Sequence, residues 1–168
     1  GLNENHAREL MELHTLGVTA GYTQRDVQEV ARCLTGWSVD ARLRRGQFRF
    51  FAEQHDDGAK SVLGASIPAG GGAGDAERVF DLLMNHPATP GFIAAKLVRR
   101  LVSDDPPAAL VGRAAATFAR TRGDIAAVLR TILHSAEFAA APPKLKRPLH
   151  LVAGALRQLD AETTGGRP

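Results

Sequence analysis

Apolar residues recur at intervals of three and four along most of the chain, which is the period of a helix with one buried face. The clearest example follows Thr23, where the apolar face consists of Val27, Val30, Ala31 and Leu34. Thr23 and Asp26 have the types and spacing of a capping box, in which each side chain bonds the other's main-chain N–H. The pattern therefore predicts a capped helix that starts after Thr23 and ends at Gly36.

The same period predicts helices in most of the remaining chain. The predicted ranges are 3–16, 75–86, 88–102, 107–121, 125–134 and 148–159, with one more turn from Ser135. Pro106 and Pro107 separate two of these helices, because proline ends one helix and fits the first turn of the next. The last helix carries Leu149, Val152, Leu156 and Leu159 on one face, and we expect this face to close the fold.

Residues 48–67 break the helical period. Phe48-Arg49-Phe50 alternates apolar and basic side chains, 55–58 has turn chemistry, and 61–64 is a candidate return strand, so we predict a hairpin over about 48–67. The glycine-rich residues 68–74 predict a flexible loop. The sequence therefore predicts a mainly α, multi-helix bundle-like domain over 1–160, with one small β-hairpin insertion and a disordered tail at 161–168.

Composition narrows the class of protein only slightly. The chain has 168 residues, 44% of them hydrophobic, with a net charge of +3 that is too small to indicate nucleic-acid binding by itself. No apolar run approaches the 18 residues of a membrane span. A single cysteine, Cys33, cannot form an intramolecular disulfide. The chain begins at Gly1 rather than Met, so the lack of a signal peptide does not argue against export.

The opening segment has the highest density of side chains that hold protons, metals or anions. Asn5, Arg8, Glu9 and Glu12 fall within about 100° of one another on a helix with 100° per residue. His6 lies at the border of this polar face, and His14 lies on the far side. These residues are the first candidates for a site.

Three interpretations of this polar face remain open. In a structural one, Arg8 and Glu12 form an i, i+4 ion pair and the Asn side chains cap the helix start. In the second, Glu9 and Glu12 bind a metal ion together with one or more histidines, although no His-Glu-x-x-His motif is present. In the third, the face binds a ligand or partner and Arg8 holds an anion.

A second group of candidates lies in the predicted turn. His55 and Asp56 have the types of a proton-transfer pair, but the same residues are typical of an Asx turn beside a solvated imidazole. Lys60 is placed to neutralise Asp56 or Asp57 in either interpretation. The loop 68–74 lacks the Gly-Lys-Ser/Thr ending of a phosphate-binding loop.

Two basic patches raise the alternative of nucleic-acid binding. They consist of Arg42, Arg44, Arg45 and Arg49, and of Lys144, Lys146 and Arg147. Nucleic-acid grooves combine such charges with aromatic side chains that stack on bases, and only Phe48 and Phe50 lie near a patch. A solvated basic surface is the favoured interpretation.

A series of ordered motifs resembles one bacterial family, the domain of unknown function 1800. The motifs are Asn3-Glu4-Asn5, Leu34-Thr35-Gly36-Trp37, His55-Asp56-x-Gly58-x-Lys60, His86-Pro87-Ala88-Thr89, Ser103-Asp104-Asp105-Pro106-Pro107, Ser135-x-Glu137-Phe138 and Lys144-x-Lys146-Arg147-Pro148. They span nearly the whole chain. His6 stands where the family has an aromatic residue, which argues against His6 as an essential ligand.

The resemblance implies little about activity, because the family has none that can be transferred. It implies that the chain is the C-terminal part of a longer, exported or envelope-associated protein with a further helical portion ahead of Asn3. That portion is the expected partner. We therefore expect a structural or interaction module of a larger protein. The alternatives are a metal-dependent, hydrolase-like enzyme using Glu9, Glu12 and His14 or His55, and a nucleic-acid binder. The sequence leaves the cofactor unknown.

Overall fold

The computed structural model describes residues 2–39 and 46–163, and it confirms a mainly α fold. Arg42, Arg44 and Arg45 of the first basic patch and 164–168 of the predicted tail lie outside the described residues. The helices are α1 (Glu4–Glu9), α2 (Gln24–Cys33), α3 (Gly74–Met84), α4 (Ala88–Leu101), α5 (Ala108–Arg120), α6 (Ile125–Leu133), α7 (Ala136–Ala139) and α8 (Pro148–Gln158). A π-helical segment, Leu10–Thr15, continues α1, and a short 3₁₀ turn covers Ala52–Gln54.

The strands form two antiparallel pairs, and the predicted pairing within 48–67 is wrong. Strand β1 (Trp37–Val39) pairs with β2 (Phe48–Phe50), and β3 (Lys60–Val62) pairs with β4 (Ala65–Ile67). The second hairpin turns through Leu63 and Gly64, whose φ values are 52° and 80°. Positive φ at both central residues gives a tight two-residue turn, so the chain returns at once and the partner of β3 is β4 rather than β2.

The starts of α2 and α1 follow the predicted caps, and α6 is capped in a similar way. Thr23 Oγ1 accepts from the Asp26 N–H at 3.2 Å, and Asp26 Oδ2 accepts from the Thr23 N–H at 2.8 Å, which completes the capping box. Asn3 Oδ1 accepts from the His6 N–H at the start of α1. At the start of α6, Asp124 Oδ1 accepts from the Ala127 N–H. These helix boundaries are therefore encoded locally.

The π-helical segment changes the register of the opening helix. The main-chain N–H of Leu16 bonds the carbonyl of Met11, five residues earlier, at 2.7 Å. Thr15 Oγ1 also donates to the Leu10 carbonyl at 2.8 Å. A π turn takes an extra residue per turn, so side chains beyond Leu10 leave the positions that 100° per residue predicts.

Two apolar clusters form the interior. The first joins α1, the π segment, α2, the β3–β4 hairpin and α3 around residues such as Met11, Val27, Val62 and Leu83. The second joins α4, α5 and α6 around Val98, Leu110, Phe118, Val128 and Ile132. In the described residues no helix is long and apolar enough to cross a membrane.

Helix α8 does not close the fold, contrary to the sequence prediction. It buries no residue, and Leu149 and Leu159 are 76% and 77% exposed. Val152 and Leu156 are also exposed. The amphipathic pattern is present, but no apolar surface within the described chain covers it.

Candidate functional site

The structure separates the polar residues of the opening segment. Asn5 and Glu9 are exposed and form no hydrogen bond or ion pair through their side chains with the described residues. Arg8 donates to Gln24 Oε1 on α2. Glu12 accepts from the Tyr22 hydroxyl at 3.5 Å. Two of the four candidates thus anchor the helix to its neighbour, and two point to solvent.

The expected Arg8–Glu12 ion pair does not form among the described residues. The π segment begins between these two residues, so the i, i+4 spacing no longer brings them together. His6 and His14 are both exposed. In the parts of the chain that the structure describes, no group of three or more His, Cys, Asp or Glu side chains is arranged to hold a metal ion.

A buried ion pair joins β3 to the start of α3. Lys60 Nζ lies 2.7 Å from Asp75 Oδ2, and both side chains are 0% exposed. The Lys60 ammonium also donates to the carbonyls of Asp56 and Gly58, so each of its three N–H groups has an acceptor. The ion pair of Lys60 is therefore with Asp75, which the sequence analysis did not single out, and not with the Asp56 or Asp57 carboxylate that the sequence suggested.

His55 lies against the same carboxylate. Its side chain is 2% exposed, so the solvated imidazole of the Asx-turn interpretation is wrong. Nδ1 lies 2.8 Å from the Thr35 carbonyl and 3.2 Å from Thr35 Oγ1, whose own hydrogen goes to the Arg32 carbonyl. Both Thr35 atoms can only accept, so Nδ1 carries a proton. Nε2 lies 3.4 Å from Asp75 Oδ2 and has no hydrogen bond with the described residues.

Asp56 forms the Asx turn that the sequence suggested, and Arg32 fixes it. Asp56 Oδ1 accepts from the Gly58 N–H at 3.1 Å. Arg32 donates from Nε and Nη2 to the two Asp56 oxygens at 2.7 and 3.1 Å. These hydrogen bonds from Arg32 lower the pKa of Asp56 from 3.8 to about 2. Asp56 is thus a permanent anion that ties the turn to α2.

The glycine loop, residues 68–74, is tied down rather than free. The Gly70 N–H donates to the Asp57 carbonyl at 2.9 Å. A Cβ on Gly71 would lie 1.8 Å from Asp75 Oδ1, so no other residue fits without a shift. Asp75 Oδ1 is buried and has no hydrogen-bond partner among the described residues. The loop therefore covers the carboxylate and closes the buried cluster.

These contacts make the buried cluster of Lys60, His55 and Asp75 a clasp between elements far apart in sequence. Asp75 is in the first turn of α3, where a carboxylate is favoured by the helix dipole alone. Because this position already accounts for a carboxylate, the sequence alone gave no reason to expect that Asp75 also pairs with Lys60. The one signal that could have found Asp75 is the need of buried Lys60 for a counter-charge.

A separate cavity of about 370 Å³ lies between α1, α2, β1 and α3. Its polar lining residues include Asn3 and His6 from the opening segment, with Ser38 and Gln54. Its apolar lining residues include Leu34, Trp37 and Phe80. We call it the Trp37 cavity. Of the opening segment's candidates, only His6 reaches it.

A basic groove runs along α4 and the connector before α8. The groove extends the second basic patch with residues that the sequence analysis did not include, and its charged side chains are Lys96, Arg99, Arg100, Asp104, Lys144 and Arg147; His150 also lines it. Lys144 pairs with Asp104 and donates to the Arg99 carbonyl. In the other patch, the guanidinium of Arg49 lies over the Phe51 ring at 4.8 Å. Because His150 of α8 lines the groove, the basic side chains of the groove lie beside the start of that helix.

The fold and these sites define a mainly α domain with two small hairpins, a buried charged clasp and an exposed terminal helix. The family sequence model described as "Protein of unknown function (DUF1800)" matches residues 1–166. The chain belongs to this family, as the motifs indicated. No curated protein and no solved structure matches it.

Proposed function

We propose that the chain is an interaction module of a larger protein and that it docks through one face of α8. This surface, the α8 face, consists of Leu149, Val152, Leu156 and Leu159. Its occupant is a helical portion of the same polypeptide that carries acidic side chains. The exposure of this aliphatic face is the observation that carries the proposal.

The exposed apolar area is large for so short a helix. Leu149 and Leu159 are each more than three-quarters exposed, and Val152 is 56% exposed. Covering such a side chain contributes about 1.5–3 kcal/mol. Three of them together offset a substantial part of the entropy that docking costs, roughly 4–15 kcal/mol when two separate molecules associate. A portion of the same polypeptide avoids much of that cost, because the linkage raises its effective concentration.

The composition of the α8 region supports a helical, acidic occupant. Leu and Val at helical spacing are the side chains that pack α4, α5 and α6 against one another in the second cluster. No Asp or Glu occurs between Glu137 and Asp160, whereas Lys144, Lys146, Arg147 and Arg157 do. Carboxylates at the rim of the occupant would complement these charges. The family resemblance implies a longer polypeptide, and this expectation motivates a partner within the same chain.

Hydrogen–deuterium exchange on α8 tests the proposal. The amides of α8 are compared in the isolated chain and in the full natural polypeptide that carries it. We expect exchange at least about ten-fold slower in the longer protein, because docking removes the local opening of an uncovered helix. The double variant Leu149→Asp/Val152→Asp should abolish this protection. Leu133→Asp, a substitution at a 44% exposed leucine on α6, is the matched control and should leave it intact.

Two results would overturn the proposal. One is equally fast exchange of α8 in both proteins. The other is a concentration-dependent dimer of the isolated chain in sedimentation velocity that Leu149→Asp/Val152→Asp dissociates, since a second copy would then be the occupant.

A further inference from the structure

The basic groove holds more positive charge than its one carboxylate neutralises. Among the described residues that line it, five carry Lys or Arg side chains, and Asp104 carries the carboxylate. A hydrogen bond from Lys144 and the nearby charges of Arg99 and Arg147 lower the pKa of this carboxylate. Three cations therefore share a single counter-charge.

The rest of the chain offers little that could neutralise the groove. Arg100 and Arg147 form no hydrogen bond or ion pair through their side chains with the described residues. Asp105 is exposed and does not line the groove. The residues outside the described ranges contain one acidic side chain, Asp40. One further carboxylate would not balance the cations, so the groove keeps an excess of positive charge.

Main-chain acceptors hold three of the cations in place. Lys144 Nζ donates to the Arg99 carbonyl at 2.8 Å, which ties the connector to α4. Lys96 Nζ donates to the Leu13 carbonyl at 2.6 Å. Arg99 Nε donates to the Asp104 carbonyl at 3.4 Å, which leaves its terminal NH₂ groups for another acceptor. Side chains that are ordered before binding lose less entropy when a ligand arrives.

The origin of the cations favours a phosphate group over a carboxylate. Arg99 and Arg100 belong to α4, whereas Lys144 and Arg147 belong to the connector, so donors reach the groove from two elements. A phosphate group on a ligand carries about two negative charges, and its three acceptor oxygens point in different directions. A carboxylate has two oxygens in one plane and a single charge. A phosphate can therefore accept from both elements at once.

The size of the basic groove suits a small molecule. Its volume of about 460 Å³ lies within the range of ligand pockets. Guanidinium groups bind phosphate oxygens in pairs through parallel N–H bonds. We propose that the basic groove binds a small phosphorylated ligand, whose phosphate oxygens accept from the guanidinium groups of Arg100 and Arg147. This role goes beyond the docking of α8, which its apolar face carries.

Calorimetric titration of the chain with pyrophosphate tests the proposal. Citrate is the control, because it carries a similar charge on carboxylates alone. We expect a dissociation constant below about 1 mM for pyrophosphate and binding of citrate at least about five-fold weaker. Raising the NaCl concentration from about 0.1 M to about 0.5 M should weaken pyrophosphate binding, because salt screens exposed charges.

Variants locate the bound anion. Arg100→Gln and Arg147→Gln act at exposed positions and should each weaken pyrophosphate binding about ten-fold, through loss of a hydrogen bond between charged groups. Arg120→Gln and Arg130→Gln are the matched controls, since they remove the same charge at exposed positions that do not line the groove. They should change the affinity less than about two-fold. Asp104→Asn should tighten binding about three-fold, because its carboxylate competes for the same cations.

Vesicles distinguish the two sources of such a phosphate group. Phosphatidylcholine vesicles with about 10% phosphatidic acid present a phosphate group on a membrane surface. Retention of the chain on these vesicles that free pyrophosphate displaces indicates a lipid head group. Pyrophosphate binding without retention indicates a free phosphorylated molecule. Both results support the proposal.

Four results would overturn the inference. The first is no saturable heat with pyrophosphate up to about 10 mM. The second is citrate binding as tight as that of pyrophosphate. The third is equal affinity in the groove variants and their controls, since binding would then depend only on net charge. The fourth is duplex DNA binding about ten-fold more tightly than pyrophosphate, since a nucleic acid would then be the occupant. These measurements leave the α8 face unchanged, so the docking proposal stands or fails separately.

Discussion

Removal of the Asp75 carboxylate is the sharpest test of the buried clasp. In Asp75→Ala the Lys60 ammonium stays in a position with 0% exposure and loses the one counter-charge that the described residues place within ion-pair distance. Breaking one half of a buried pair costs about 3–5 kcal/mol. The carbonyls of Asp56 and Gly58 still accept from Lys60, which favours the lower end of this range.

A loss of about 3 kcal/mol corresponds to a fall in Tm of roughly 6–12 °C for a chain of this size. Urea denaturation followed by Trp37 fluorescence measures the free energy of unfolding, and thermal circular dichroism measures Tm. The control is Asp104→Ala, which breaks the Lys144–Asp104 pair at a carboxylate that is 88% exposed. We expect this control to have the same Tm and free energy of unfolding as the wild type, because exposed ion pairs contribute little to stability.

A double variant separates the destabilisation caused by an unpaired charge from the destabilisation caused by lost packing. Lys60→Met/Asp75→Leu removes both charges and keeps apolar volume, so it should be more stable than Asp75→Ala. Two results would refute the reasoning. One is an Asp75→Ala variant with the urea midpoint of the wild type, and the other is a double variant less stable than Asp75→Ala.

Three further predictions follow from the same region. Gly71→Ala should lower the free energy of unfolding, measured by urea denaturation, by about 1–3 kcal/mol, because the added Cβ overpacks the site. Gly112→Ala should not lower it, because its added Cβ meets no atom within 4 Å. Equal stability of the two variants would contradict the close approach of Gly71 to Asp75. Because Arg32 lowers the pKa of Asp56 from 3.8 to about 2, the stabilisation by this carboxylate is complete above about pH 4 and is lost as the pH falls through about 2. Asp56→Asn should therefore reduce the loss of stability between pH 4 and pH 2, and parallel pH profiles of the two proteins would refute this role. Burial raises the pKa of the Cys33 thiol to about 12, so a disulfide reagent at pH 8 should modify it only as fast as the protein opens; immediate modification of the native protein would contradict this.

The local features of the fold could be predicted from the sequence. Thr23 and Asp26 bond each other within one turn, so their spacing suffices to place the start of α2. The pairing of the strands could not be predicted in this way. It depends on Leu63, whose N–H donates to Asp26 Oδ1 at 2.7 Å across a separation of 37 residues. A leucine at positive φ is uncommon, and this tertiary contact helps to hold Leu63 in that conformation.

The candidate sites were only partly predictable for the same reason. His55 and Lys60 were selected for their chemistry, but their common partner Asp75 comes 15 residues after Lys60 and beyond a glycine loop. The predicted polar face of the opening segment assumes a regular α-helix, and the π segment from Leu10 changes the angular positions of the side chains. The period of α8 correctly predicts an amphipathic helix. Periodicity indicates which face is apolar, but it does not identify the surface that covers it.

In the described part of the chain, the two apolar clusters meet at few points, and this has a consequence for how the protein opens. Phe92 of α4 packs beside Gly17, Lys96 donates to the Leu13 carbonyl at 2.6 Å, and Met84 lies against Gly123. Contacts this sparse couple two cooperative units weakly. The half built on α2 and α3 and the half built on α4, α5 and α6 should therefore exchange their amide hydrogens with two different free energies of opening. Each half is then free to yield under stress while the other keeps its structure.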